Sequence, residues 1–101
     1  MIKVTVLYGH PTNPTAFENY YANTHMPIAR SMKGVNRMEL TKFIPGPEGA
    51  VPAYYRMAEL VFTDPGAMQQ TMESPEGKAT SADLANFATD GVTFLLGMVE
   101  N

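Results

Sequence analysis

The sequence contains no cysteine and no tryptophan. Without cysteine there is no disulfide, no thiol nucleophile and no thiolate metal site. Histidine is nearly as scarce: His10 and His25 are the only two in 101 residues. A zinc site made of several imidazoles within one chain is therefore not expected, and no metal is assigned. Charge is thin. Seven basic and ten acidic side chains leave a net charge of −3, and the positive residues are scattered, which argues against a nucleic-acid footprint. No apolar run approaches the ~20 residues of a membrane span. The N-terminus opens straight into a strand pattern with no signal-peptide anatomy, so a cytoplasmic protein is the expectation. No glycine-rich phosphate loop or nucleotide fingerprint is present, and no motif surrounds a serine in the manner of a nucleophile.

What is there describes a small globular protein. Hydrophobic residues make up 45 % of the chain, too many for disorder. Its length suits a single domain over residues 1–101, with a core limited enough that a second copy would help to cover apolar surface. Eight methionines favour a soft core over a methionine-lined pocket, because the side chain fills irregular gaps.

In chain order, Ile2 to Tyr8 alternate as a strand. Residues 9–14 form a loop dense in turn residues, where His10 is expected to be solvated. A helix begins near Pro14, capped by Asn13 or by a Thr15–Glu18 box. It runs to about Gly34. Residues 35–44 and 54–62 alternate as strands, joined by a long loop. Glu39 and Glu59 lie on half-apolar strand faces, either solvated or paired with Arg37 or Arg56. Asp64-Pro65 and Ser74-Pro75 each announce a helix. Residues 92–99 form a last strand, apolar on both faces and so expected to be covered on both.

The stretch Tyr20-Tyr21-Ala22-Asn23-Thr24-His25-Met26-Pro27-Ile28-Ala29 concentrates the chemistry. At about 100° per residue, Phe17, Tyr20, Tyr21, Thr24 and Ile28 share one stripe. His25 falls on its flank, one turn after Tyr21. Pro27 removes one helical N–H and disfavours α geometry at Met26, so a bend is expected just after His25. A lone histidine beside an apolar face is more often a packed residue than a catalyst. A titratable ring beside a helix break is nonetheless the candidate site.

The order β-α-β-β-α-β is the ferredoxin-like α+β arrangement, a four-stranded antiparallel sheet with two helices on one face. The other face needs cover. A second copy supplies it most economically, closing a dimeric α+β barrel with His25 at the rim of a cavity.

Two segments resemble a known family. Tyr20-Tyr21, then His25-Met26-Pro27-Ile28-Ala29, is similar to the Tyr-x₄-His-x-Pro-Leu-Ala segment of EthD-like proteins. Residues 74–79 and 82–89 resemble their second signature. Ile28 stands where leucine is common, and Asp90 where glycine is. The resemblance implies a homodimeric α+β barrel. EthD itself is associated with a cytochrome-type system degrading ethyl tert-butyl ether, and the wider superfamily includes isomerases, cyclases, cofactor-free monooxygenases and haem-binding peroxidases. By position it implies a role for His25 with Tyr21, and for Asn86 and Phe87 at the other helix end.

The expected function is cofactor-free proton transfer on a small apolar or aromatic oxygenated compound. His25 would act as acid or base, with Tyr21 or Tyr20 donating to an oxygen. Tyr20, Ile28, Asn86 and Phe87 would line the ligand site. The alternatives are a non-catalytic binding or accessory protein for an oxygenase, and haem binding through His25.

Overall fold

The computed structural model describes residues 1–100. The elements are β1 (Ile2–Tyr8), α1 (Pro14–Tyr20), a π turn (Tyr21–His25), α2 (Met26–Arg30), β2 (Arg37–Lys42), β3 (Arg56–Phe62), α3 (Pro65–Glu73), α4 (Pro75–Phe87) and β4 (Val92–Met98). The strands form one antiparallel sheet in the order β2-β3-β1-β4. This is the ferredoxin-like α+β fold read from the pattern. Glu48–Gly49, with φ of 60° and 77°, turn the β2–β3 loop.

Three asparagine, aspartate or serine caps start the helices, each followed by proline. Asn13 accepts from the Ala16 N–H at 3.1 Å, Asp64 from Ala67 at 2.8 Å and Ser74 from Gly77 at 3.1 Å. Proline at the first helical position gives up an N–H that had no partner there. Asn13, not the Thr15 box, is therefore the cap of α1. Gly77 seats α4 against α3: a Cβ there would lie 2.2 Å from the Thr71 carbonyl oxygen.

The first helix departs from expectation in one respect. Met26 keeps helical angles, φ −64° and ψ −37°. The adjustment precedes Pro27: the Met26 N–H bonds the Tyr21 carbonyl, five residues back. This wider turn relieves the clash a proline makes with the carbonyl four residues earlier. It also rotates everything after Tyr21 relative to an ideal wheel. Thr24, placed on the apolar stripe by periodicity, is exposed, and Ile28 is partly buried. His25, Met26 and Ala29 are buried instead, at 3 %, 6 % and 5 % exposure.

The core lies between the helices and one sheet face, with Val6, Tyr8, Ala58, Leu60 and Phe62 beneath Phe17, Tyr21, Met26 and Phe87. On β4, Phe94, Leu95, Leu96 and Met98 are 51–73 % exposed. The expectation that both faces of this strand are covered is not met within one chain: β4 is the sheet edge beyond β1, and its large apolar side chains stay more than half exposed. Glu59 pairs with Lys3 at 2.9 Å, and neither of the arginines considered for it takes part. Arg56 turns to the helix side and grips Glu18 at 2.7 and 3.3 Å. His10 is exposed, as expected of a loop residue, and its Nε2 also donates to the Pro52 carbonyl at 2.7 Å, tying two loops together. No helix among the described residues is long and apolar enough to cross a membrane.

Candidate active site

A cavity of about 40 Å³ lies between the sheet and the helices. His25 and Tyr21 reach it from the π turn, and Tyr8 from β1. Met26, Met32, Met38 and Met72 supply much of the remaining wall, so half of the eight methionines line a pocket. The soft-core expectation holds for them as well: Met26 and Met32 belong to the buried core, and Met38 and Met72 pack against it.

His25 is held from behind by a residue that sequence reasoning did not single out for chemistry. Its Nδ1 lies 2.9 Å from Asp83 Oδ2 on α4, and both side chains are buried, at 4 % and 6 % exposure. A carboxylate can only accept, so Nδ1 carries the hydrogen. Nε2 is then the nitrogen left for a molecule in the cavity, and the one that gains or loses a proton while Nδ1 stays bonded to Asp83. Asp83 Oδ1 accepts from the Tyr20 hydroxyl at 2.6 Å and from the Asn86 amide at 2.9 Å. Burial pushes the Asp83 pKa up, but the hydrogen bonds from Tyr20, Asn86 and His25 prevail and hold it below its ordinary value. The carboxyl is therefore ionised at neutral pH and stays an acceptor.

Two further phenols line the same cavity. The Tyr21 ring stacks on His25 with centroids 5.8 Å apart, and Tyr8 meets Tyr21 edge-on at 5.7 Å. Burial raises the pKa of both, against the pull of the Arg56 guanidinium, which lies 4.6 Å from the centre of the Tyr21 ring. Both remain protonated donors. The Tyr21 hydroxyl is buried, with the Arg56 guanidinium as a polar neighbour that can only donate to it; its own hydrogen is left without an acceptor, a state that costs about 1–3 kcal/mol. Such a donor is suited to an oxygen arriving on a guest.

The other residues expected at the site fall on its outer side. Phe87 packs on His25 at 4.6 Å between centroids and stacks on Tyr20 at 5.2 Å. Tyr20, Asn86 and Phe87 line an open groove of about 300 Å³ outside the cavity. Tyr20 and Asn86 thus reach His25 through Asp83. Ile28 lies outside the cavity, and Ala29 lines it instead. Asp83 did leave a trace in the sequence, as a carboxylate on a helix whose neighbours are small and apolar. Its partner is 58 residues away, a distance no local pattern spans. Among the described residues, no group of three or more His, Asp or Glu side chains is placed to hold a metal ion.

Comparison with known proteins agrees with this architecture. The profile of the EthD domain family matches residues 9–91. An uncharacterized 11.0 kDa protein from the thcB–thcC intergenic region of Rhodococcus erythropolis is 38 % identical over 95 residues, covering 94 % of this chain and 91 % of that protein. The crystal structure of an ethyl tert-butyl ether D (EthD) family protein from Bacillus halodurans is 34 % identical, covers 99 % of both chains and superposes with a TM-score of 0.92. SnoaB of Streptomyces nogalater, described as a cofactor-independent oxygenase, shares the fold at 21 % identity with a TM-score of 0.64, over 99 % of this chain and 92 % of its own.

Proposed function

We propose that this chain, which belongs to the EthD domain family, moves a proton on a small, largely apolar, oxygenated molecule held between its sheet and its helices. His25 is the acid/base. Asp83 orients it, with Tyr20 and Asn86 fixing Asp83 in turn. Nε2 takes a proton from a carbon next to a carbonyl, and the electron pair moves onto the carbonyl oxygen. Tyr21 donates a hydrogen bond to that developing enolate. Return of the same proton to a different atom completes an isomerisation or a cyclisation with no net change in atoms or electrons. The oxygenase description of the Streptomyces relative favours a variant in which the carbanion's electron pair forms a C–O bond to dioxygen and the peroxide anion takes back the proton held on His25, giving a hydroperoxide.

The observation that carries this reading is the buried Nδ1–Asp83 hydrogen bond of 2.9 Å beside a cavity. General acid/base catalysis by one positioned group is worth about 10²–10⁴ in rate. The His25→Gln variant is therefore expected to lose at least about a hundredfold in turnover of enol-lactones and phenolic ketones, or in deuterium wash-in from D₂O. Unchanged rates would remove His25 from the chemistry. A non-catalytic role as ligand carrier for an oxygenase is the second reading, favoured by the Tyr21 hydroxyl, whose own hydrogen has no acceptor. Retention of binding with no wash-in would select it.

The working unit is proposed to be a homodimer joined through the open sheet face. Leu7 and Met57 sit in register there, and Leu95 is 53 % exposed. Arg37 and Glu39 lie two residues apart on the exposed edge of the same face. A two-fold axis can bring Arg37 of one copy to Glu39 of the other.

A further inference from the structure

We infer that the cavity selects an uncharged guest with one oxygen function and an apolar body, and rejects carboxylates of the same size. This rests on the proposed placement of the substrate beside His25.

No Asp, Glu, Lys or Arg lines the cavity among the described residues. Arg56 lies over the Tyr21 ring at 4.6 Å, but its guanidinium is committed to both carboxylate oxygens of Glu18. The Asp83 carboxylate stands directly behind His25. A second carboxylate in the cavity would meet either a neutral imidazole or an imidazolium already neutralised by Asp83. Burying an anion without a partner is costly. The polar groups are clustered: His25, Tyr21 and Tyr8 form one contiguous set of rings. Tyr21 offers a protonated hydroxyl whose own hydrogen has no acceptor. Away from these rings the wall is mostly apolar, including Met38, Met72, Leu40 and Leu60, with Ser81 an exposed hydroxyl on its α4 side. Thr80, which also lines the cavity, donates its hydroxyl to the Glu76 carbonyl within its own helix.

Size adds a condition. The cavity holds about 40 Å³, whereas a cavity of about 150 Å³ accepts benzene. A ring-sized guest must therefore displace methionine side chains, whose three rotatable bonds let them give way. Their methyl groups then report its arrival.

The test is a titration of the full chain, carrying ¹³C-methyl methionine, with phenol, toluene and benzoate at pH 7. Phenol is expected to shift the methyl resonances of Met26, Met32, Met38 and Met72, with a Kd at least tenfold below those of toluene and benzoate. Tyr21→Phe is expected to bring phenol to within about twofold of toluene, since one hydrogen bond of this kind is worth about tenfold, while leaving toluene unchanged. Benzoate binding as tightly as phenol overturns the inference, as does the absence of a shift with all three. The proton-transfer reading is judged separately, by the rates of His25→Gln, and an anion-binding cavity would leave it standing.

Discussion

Replacing Asp83 with asparagine tests the support beneath the candidate site without needing a substrate. The carboxylate now accepts three hydrogen bonds, from Tyr20 at 2.6 Å, Asn86 at 2.9 Å and His25 at 2.9 Å. An amide of the same shape offers one oxygen and one NH₂. If the oxygen keeps Tyr20 and Asn86, the NH₂ faces Nδ1, and two donors meet in a buried place. The imidazole escapes the clash by moving its hydrogen from Nδ1 to Nε2. The loss of a charge-assisted acceptor among buried donors is expected to cost about 2 kcal/mol. For a domain of this size that corresponds to roughly 8–16 °C in Tm.

The pH dependence follows from the direction of the Asp83 shift. Its folded pKa is held below the ordinary value of 3.8, so the unfolded chain binds the proton more readily. The stabilisation is complete above that ordinary value and disappears as pH falls through the lowered one. The wild type should therefore lose its advantage over Asp83→Asn in acid and keep it at neutral pH. Urea unfolding at steps from pH 7 down to pH 2 measures the gap, and ¹⁵N NMR of the imidazole gives the tautomer. A deficit under about 0.5 kcal/mol at pH 7, well below the usual cost of a disrupted buried hydrogen bond, would refute the reasoning. So would a gap that persists unchanged in acid, or an Nδ1–H ring in the variant.

Gly77→Ala should cost about 1–3 kcal/mol in urea unfolding, because the new methyl would sit 2.2 Å from the Thr71 carbonyl oxygen and 2.8 Å from the Met72 Cα. A variant as stable as wild type would mean that α3 and α4 are not pressed together there. Leu95→Lys puts a charge on the open sheet face and should shift the mass measured by light scattering from dimer to monomer; an unaltered mass counts against pairing through that face. His10→Ala should lower stability by about 1 kcal/mol through loss of the bond to Pro52. It should leave the His25 imidazole resonances in place, and movement of those resonances would tie the loops to the site.

The strands and helix starts were legible because each is coded locally. Alternation over Ile2–Tyr8 and proline after Asn13, Asp64 and Ser74 act within a few residues. The faces of the first helix were legible only up to Tyr21. A wheel of constant pitch has no place for a turn that closes five residues apart, so it set Thr24 inside and His25 on the flank. Glu59 was read against Arg37 and Arg56, yet strand order set it beside Lys3 of β1. The methionines were ambiguous for a related reason. Their number suggests a soft interior but not which of them touch one another and which a void.

The sequence alone determined the element order, the α+β class, the candidate imidazole and its tyrosine neighbour, since period, caps and short motifs are properties of consecutive residues. Tertiary structure alone decided that Asp83 stands behind His25, that Tyr20 and Asn86 serve Asp83, and that four methionines surround a cavity. Those relations depend on how α4 lies across the π turn. That crossing follows from packing between segments far apart in the chain, for which no single stretch of residues carries a signal.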